Sequence, residues 1–248
     1  MDPSSILPLL QGGVSLIGCD KNGLVALEKP CGILSHPNGR SSCDRALIAC
    51  PYSGSEGAYV CENGSKIFLL NRLDSPVSGV LLIGLSRTVA DAVKFAFKCR
   101  NVFKRYVALS KGFPRSKSGM WSCGLRKFSD GKSIKMSAGP GMFARTRYET
   151  VTSFRSRGVT LSALNLFPIT GRTHQLRIHC AMNGLPIIGD ETYGDSQFNR
   201  TFREIFKNDR LFLHSAEISL TYAIGGCKFN FQAASCEDFS ESLECFRR

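Results

Sequence analysis

Asp74 is the first residue whose type and position suggest chemistry. It lies in FLLNRLDSPVSGVLLIGLS, residues 68–86, between two apolar runs. Pro76 and Gly79 follow it, which predicts a turn that leads into a buried strand. A carboxylate in such a turn can point into a cleft, where its charged form would stabilise a developing positive charge. Taken alone, however, Asp74 is more simply interpreted as the cap of its own turn, because Asp is common in turns.

A second set of candidates lies in FPITGRTHQLRIHCAMNGLPIIGDETYGD, residues 167–195, which contains two Arg and two His. The segment THQLRIHCAMNG predicts a helix with Thr173 as its N-cap and Gly184 just past its end. On that helix Arg177 shares a face with apolar residues such as Ile178, so it needs an acidic partner. A structural ion pair or a phosphate contact would explain Arg177 as well as a catalytic role does.

The charge of the chain favours a polyanionic partner. Its 248 residues include 32 Lys and Arg against 20 Asp and Glu, a net charge of +12 that is spread along the sequence. Arg145, Arg147, Arg155, Arg157 and the basic segment 115–135, interpreted as a loop, are candidate phosphate contacts. For any one of them, an ordinary solvated surface position is an equally good interpretation.

Metal binding, export and membrane insertion find little support in the sequence. The four His are far apart, and the eleven Cys are odd in number with no C-x-x-C pair, so we expect reduced thiols and no metal site. MDPSSILPLLQGG fits neither a secretory signal nor a transit peptide, and no run approaches the roughly 20 apolar residues of a membrane span. We therefore expect a cytoplasmic protein without a membrane partner. For a compact chain, a monomer is the default expectation.

The elements that would position these residues are mostly strands. Two short apolar runs in VSLIGCDKNGLVALEKP predict a hairpin, residues 79–86 predict a strand, and residues 88–101 predict a helix. Residues 51–66 read as a loop. Further strands are predicted within residues 104–112, 144–167 and 211–222. Because strands outnumber helices without regular alternation, the predicted class is α+β with a mixed or mostly antiparallel sheet, in a single domain over residues 1–248.

Three motifs in one order resemble the RluA-type family of pseudouridine synthases. They are KPCGILSHP (29–37), NRLDSPVSG (71–79) and TGRTHQLRIH (170–179), with KRYVA (104–108) between the last two. LFLHSAEI (211–218) extends the resemblance over about residues 14–232. The RsuA-type branch is less similar because its second motif lacks THQ, and no separate S4-like RNA-binding domain is expected.

The resemblance implies a fold, an activity and a substrate. The implied fold is a central mixed or mostly antiparallel sheet flanked by helices and loops, with a catalytic cleft. The implied activity is isomerisation of specific uridines in structured rRNA or tRNA, with the target base flipped out and with no metal or organic cofactor.

The resemblance also implies roles for individual residues. Asp74 matches the essential aspartate that attacks, or otherwise assists, departure of the uracil from its ribose. Tyr106 matches the tyrosine that packs on the target base and is implicated in removing the proton from carbon 5. Arg177 matches the basic residue paired with the aspartate, which we expect to keep the carboxylate charged. The expected RNA contacts are Arg72, in the place of the flipped nucleotide, with Arg172, His174, Arg145 and Arg147.

Two positions depart from the family pattern. Asn71 replaces a common His, and Val77 replaces a common Thr and cannot supply its hydroxyl. These departures and the positive charge leave an alternative hypothesis, a non-catalytic RNA-binding or RNA-folding protein on the same scaffold. The matching residues Asp74, Tyr106 and Arg177 favour the enzyme.

Overall fold

The computed structural model describes residues 3–129, 134–235 and 246. The chain divides into two units, of which unit 1 comprises Met1–Lys104 and Ser215–Glu237. Unit 2 comprises Arg105–His214 and Asp238–Arg248. Each unit therefore combines segments that are distant in the sequence.

Unit 1 is built around strand β6, the strand that follows Asp74. Its strands are β1 (Ser15–Cys19), β2 (Leu24–Lys29), β3 (Tyr52–Ser53), β4 (Ala58–Val60), β5 (Lys66–Leu69), β6 (Ser78–Gly84), most of β12 (Leu213–Ile224), and β13 (Cys227–Ala234). The order β3-β4-β5-β6-β12 continues with β13 beside β12, while β2 pairs with β6 and with β1. All seven residues of β6 are buried.

The predicted β1–β2 hairpin is confirmed. The carboxylate of Asp20 accepts hydrogen bonds from the backbone N–H groups of Asn22 (2.9 Å) and Leu24 (3.0 Å), which closes the turn. The prediction of a loop over residues 51–66 is partly wrong, because β3 and β4 pair there as a short hairpin.

The predicted helix is α1 (Arg87–Lys98), which covers the sheet of unit 1. The hydroxyl of Ser86 accepts a hydrogen bond from the Val89 N–H (3.3 Å) and caps its start. Val89 and Val93 pack on apolar residues of β2 and β6, including Leu24 and Leu82. The 3.6-residue period of the sequence therefore identified the buried face.

Unit 2 contains an antiparallel sheet in the order β7-β11-β10-β8-β9. The strands are most of β7 (Val102–Lys111), β8 (Ser118–Ser129), β9 (Ile134–Ala138), β10 (Met142–Ser156) and β11 (Val159–Pro168). The prediction of a loop over residues 115–135 is therefore wrong for residues 118–129 and 134–135, while residues 115–117 do lie outside the strands. Residues 130–133 lie outside the described part. Trp121 and Leu125 are buried on one face of β8, but the Ser, Gly and basic residues around them obscure the strand pattern.

Helix α2 (Gln175–Met182) begins one residue later than predicted. His174, not Thr173, occupies the N-cap position, in a left-handed conformation (φ 55°) and without a side-chain capping bond. The side chain of Gln175 instead bonds the preceding turn, so no capping hydroxyl is needed. Gly184 lies just past the helix with φ 73°, as predicted.

Helix α3 (Ser196–Phe206) was not predicted. It is capped by the Asp195 carboxylate, which accepts from the Phe198 N–H (2.9 Å). The described residues thus form thirteen strands and three α-helices, and the predicted α+β class is confirmed. Within them, none of the helices has the length and apolar character needed to cross a membrane.

Candidate active site

Asp74 lies in a turn of unit 1 that the KPCG segment holds in place. The Val77 N–H donates to the Asp74 carbonyl (3.0 Å) and closes the turn. The next residue, Ser75, donates from its hydroxyl to the Gly32 carbonyl (3.0 Å) and accepts at its own carbonyl from the Gly32 N–H (2.9 Å). The backbone on both sides of the carboxylate is therefore fixed.

A buried ammonium group lies beneath this turn. Lys29 has no exposed surface, and its Nζ donates to the carbonyls of Pro30 (2.9 Å), Ile33 (2.7 Å) and Ser75 (3.0 Å). Burial lowers the pKa of Lys29 to about 8, although the nearby charges of Cys31 and Asp74 act in the opposite direction. Lys29 thus ties its own segment, residues 29–33, to the Asp74 turn and places a positive charge close to Asp74.

The two departures from the family pattern have structural uses in this turn. The side-chain oxygen of Asn71 accepts from the backbone N–H of Leu82 on β6 (2.7 Å). Val77 is buried in the core. Between them, the Ser35 hydroxyl accepts from the Leu73 N–H (3.0 Å) and donates to the Leu73 carbonyl (2.8 Å). The turn is therefore anchored at Asn71, Leu73 and Val77.

Gly79 allows β6 to approach β12 very closely. Its φ is +108°, and a Cβ atom there would lie 2.2 Å from the backbone oxygen of Ser215. The Ser215 hydroxyl also donates to the Val80 carbonyl (3.1 Å). Only glycine fits between these backbones, so the start of β6 is locked against β12.

Arg72 is exposed two residues before Asp74, and the structure therefore places these two predicted residues in the same turn. Its Nη1 donates to Nε2 of His36 (3.3 Å), while Nδ1 of His36 is 3.0 Å from the Pro37 carbonyl. These partners favour the neutral tautomer with the proton on Nδ1. The His36 ring stacks on Tyr52 with centroids 4.9 Å apart, which supports the guanidinium of Arg72 from one side.

Unit 2 carries Arg177 on α2, in a buried bidentate ion pair with Asp190. Nε and Nη2 of Arg177 each donate to one Asp190 oxygen at 2.8 Å, and the two side chains are 7% and 1% exposed. Burial raises the pKa of Asp190, but the hydrogen bonds and charge of Arg177 outweigh this, so the pKa lies below its usual value. The sequence predicted that Arg177 needs an acid but did not identify Asp190. The turn-forming sequence GDETYG, in the same segment, could have indicated it.

The segment Gly189–Gly194 forms a cradle for the guanidinium of Arg177. Asp190 Oδ1 also accepts from the N–H groups of Thr192 (2.9 Å) and Tyr193 (3.0 Å). The Arg177 guanidinium carbon lies 5.1 Å from the centroid of the Tyr193 ring, a cation–π arrangement. A Cβ at Gly189 would lie 1.9 Å from the Arg210 carbonyl oxygen, so glycine is required for this turn.

His174 and Tyr106 are both in unit 2 but lie on different elements and have different neighbours. Nδ1 of His174 is 2.7 Å from the Tyr193 hydroxyl, which also accepts from the Met136 N–H (3.1 Å). Tyr106 lies on β7 opposite Leu166 of β11 and is 9% exposed. His174 is thus joined to the Arg177 cradle through Tyr193.

Gln175 links the remaining predicted RNA contacts to α2. Its Oε1 accepts from the Arg172 N–H (3.1 Å) and the Thr170 hydroxyl (2.6 Å). Its Nε2 donates to the carbonyl of Arg145 (2.9 Å). The structure therefore brings the backbones of Arg145 and Arg172 together at the start of the helix that carries Arg177.

Arg147 has a different environment from Arg145. It forms an ion pair with Glu149, and its guanidinium carbon lies 3.8 Å from the centroid of the Phe167 ring. The guanidinium of Arg147 therefore already has an acidic partner and an aromatic partner within the protein. No cluster of three or more potential metal ligands occurs among the residues that the structure describes.

Comparison with known proteins gives consistent matches. The family model described as RNA pseudouridylate synthase matches residues 23–182. The chain is 32% identical over 226 residues to ribosomal large subunit pseudouridine synthase C of Haemophilus influenzae, covering 90% of this chain and 66% of that protein. It is 32% identical over 221 residues to tRNA pseudouridine synthase C of Vibrio cholerae, covering 79% of this chain and 80% of that protein.

A solved structure confirms the predicted fold. Human RNA pseudouridylate synthase domain containing 4 superposes with a TM-score of 0.67 at 21% identity, covering 98% of this chain and 95% of the human chain. The matched family model extends over more than half of the chain and includes both the Asp74 turn and helix α2. The chain therefore belongs to the RluA-type pseudouridine synthases, a family of isomerases that act on uridines in RNA.

Proposed function

We propose that this protein isomerises specific uridines in structured rRNA or tRNA, with Asp74 as the catalytic carboxylate. The names of its relatives support these two substrate classes, since one acts on the large ribosomal subunit and another on tRNA. The observation that carries the assignment of Asp74 is the construction of its turn. Lys29, Ser35, Ser75 and Gly79 hold the backbone on either side of a partly exposed carboxylate.

The reaction exchanges one bond to the sugar for another. The bond between N1 of uracil and the anomeric carbon breaks, the uracil rotates, and its carbon 5 joins the same carbon. Carbon 5 then loses its proton and N1 gains one, so no oxidant or reductant is consumed. An ionised carboxylate suits the positive charge that develops at the anomeric carbon, either as a nucleophile or by electrostatic stabilisation.

The remaining site residues have chemistry that suits the other steps. Tyr106 supplies an aromatic ring to stack on the extruded base, and Arg72 supplies a planar cation to occupy the gap in the RNA stack. Arg177 is the basic residue that we assign to Asp74, to keep its carboxylate charged. Its bidentate pair with Asp190 and its position over Tyr193 support this role, because they restrict the guanidinium to one orientation.

RNA binding is assigned to the basic residues around the start of α2. Arg172, His174, Arg145 and Arg147 would contact phosphates, with no metal or organic cofactor, and Arg147 would exchange its ion pair with Glu149 for a phosphate. We also propose that the protein acts as a monomer in the cytoplasm. The nine cysteines in the described residues are free thiols, which suits a reducing compartment.

Asp74→Asn tests the catalytic assignment because it removes the charge and keeps the shape. We expect the rate of tritium release from RNA labelled at carbon 5 of uridine to fall by roughly 10³-fold or more, with RNA affinity retained. Asp44→Asn is the matched control, since Asp44 is exposed elsewhere in unit 1. An Asp74→Asn protein with the wild-type rate would exclude this role, and a wild-type protein with no isomerase activity on total RNA would favour the non-catalytic alternative.

A further inference from the structure

We propose that Phe143, Arg145 and Arg172 form a binding site for an unpaired nucleotide of the RNA substrate. The base would stack on Phe143, and the two arginines would bind the adjoining phosphates. This proposal rests on the proposed function and narrows its substrate class to RNA that has an unpaired nucleotide, in a loop or bulge, in addition to the target uridine.

The first observation is an exposed aromatic ring on the outer face of β10. Phe143 is 55% exposed, whereas the neighbouring Ala144 is fully buried. Its partner on β8 is Gly124, which has no side chain to cover the ring. Exposure of this apolar ring to water is energetically unfavourable. Exposed aromatic rings are the groups on which bases of single-stranded nucleic acids stack.

The second observation is the charge beside this ring. Arg145 follows Phe143 at the next position of the same strand face and is exposed opposite Ser122. Nε of Arg172 donates to the Phe143 carbonyl (3.4 Å), which places its guanidinium next to the same residue. Within the described part of the chain, neither arginine forms an ion pair with a carboxylate, in contrast to Arg147 with its partner Glu149.

The third observation is that the backbone of the site is rigid. The Arg145 N–H donates to the Thr170 hydroxyl (2.9 Å), and Gln175 bonds the Arg145 carbonyl and the Arg172 N–H. Gln175 is also the first residue of α2, which carries Arg177. The backbone beneath these exposed side chains is therefore hydrogen-bonded to the first residue of the helix that carries Arg177. Such a fixed backbone is what a preorganised binding site requires.

The combination of groups distinguishes this ligand from others. Duplex RNA would use the arginines but has no free base face for Phe143. An acidic protein surface would likewise need only the charges. A single-stranded nucleotide uses both the ring and the charges, and Arg planes can add to the stacking.

The test is equilibrium binding of the full-length protein to an RNA hairpin and to a blunt duplex with the same stem. We expect Phe143→Ala to weaken hairpin binding about 5- to 150-fold, the loss of one stacked base, and to leave duplex binding unchanged. Phe143→Trp should restore or strengthen hairpin binding. Phe113→Ala is the matched control, because Phe113 is 51% exposed in unit 2 but has no predicted RNA contact.

The salt dependence of binding and the reaction kinetics distinguish a stacking contact from a charge contact and from a catalytic role. Arg145→Ala should reduce the slope of log affinity against log salt by about 1, whereas Phe143→Ala should leave the slope unchanged. At subsaturating hairpin RNA, Phe143→Ala should lower the single-turnover rate in proportion to its lost affinity, whereas the control Phe113→Ala should keep the wild-type rate. Equal losses on hairpin and duplex, or no loss on either, would overturn the proposal, and these binding results do not depend on whether Asp74 proves catalytic.

Discussion

Lys29 and Asp190 are two buried charged residues, and each supports a residue to which a catalytic role is assigned. Lys29 is surrounded by carbonyl oxygens, which solvate its ammonium only partly, so burial disfavours the charged form and its pKa falls to about 8. Asp190 faces a guanidinium, which outweighs its burial, so the charged form is favoured and its pKa also falls. A lowered pKa therefore means that the native structure destabilises the charged form of Lys29 but stabilises the charged form of Asp190.

The lowered pKa of Lys29 predicts a specific pH dependence of stability. The native state releases this proton near pH 8 and the unfolded state near 10.5, so between these values the unfolded state binds more protons. The free energy of unfolding of the wild type should therefore rise relative to Lys29→Met by roughly 1.4 kcal/mol per pH unit. Urea denaturation of both proteins from pH 7 to pH 10 measures this difference, and a constant difference would show that Lys29 does not titrate there.

Asp190 and Arg177 should behave as one energetic unit. Asp190→Asn leaves a buried guanidinium without its carboxylate and is expected to lower the free energy of unfolding by about 3–5 kcal/mol. The double variant with Arg177→Met should cost clearly less than the sum of the two single variants, because the second change removes the unpaired charge. Urea denaturation of all four proteins gives the coupling energy, and additive losses would contradict the pairing.

At the residue scale, the sequence predicts which residues take part in the site better than it predicts their contact partners. It indicated that Arg177 needs an acid, but the bidentate contact with Asp190 depends on the close approach of Gly189 to Arg210, which has no periodic signal. Asn71 was identified as a departure from a family pattern. Its use as an acceptor for the Leu82 N–H follows only from the path of β6.

At the scale of elements, the start of β6 depends on one glycine. Both its positive φ and the 2.2 Å separation of a Cβ from the Ser215 oxygen exclude other residues at position 79. Because β6 follows the Asp74 turn directly, any displacement from β12 would move the backbone that carries the carboxylate. Strand β6 and Asp74, the proposed catalytic residue, are thus coupled through this contact.

Gly79→Ala compared with Gly64→Ala tests this coupling. Gly64 also has a positive φ (79°), but a Cβ there would meet nothing within 4 Å. Gly64→Ala should cost about 1–2 kcal/mol for its backbone conformation alone, and Gly79→Ala should cost several times more and lose isomerase activity. Chemical denaturation and tritium release measure both effects, and equal losses in the two variants would show that the contact with β12 is unimportant.

The elements that the sequence predicted well are those with a clear hydrophobic period. Helix α1 has one buried face and a serine cap, and both signals are local. Strand β8 was interpreted as a loop because Ser, Gly and basic residues are interspersed along it, so its identity depends on pairing with β10. Short strands such as β3 depend on tertiary contacts in the same way.

At the scale of the whole molecule, order along the chain was more informative than composition. The charge of +12 favoured a polyanion but did not distinguish an enzyme from a binding protein. The succession of motifs around Lys29, Asp74, Tyr106 and Arg177 identified the family, which the comparisons confirmed. The division into two units was not visible, because each unit joins distant segments that no local pattern marks.

This interleaving has a consequence for synthesis on the ribosome. Strand β6 is made early, but its contact at Ser215 lies 135 residues after Val80, so the Asp74 turn lacks that support until most of the chain has emerged. Unit 2 likewise lacks Phe246, which packs among Phe202, Phe206 and Phe212, until residue 246 has been synthesised. A nascent chain that stops after α3 would therefore leave both units incomplete, and loop closure over such separations delays folding until the later segments have been synthesised.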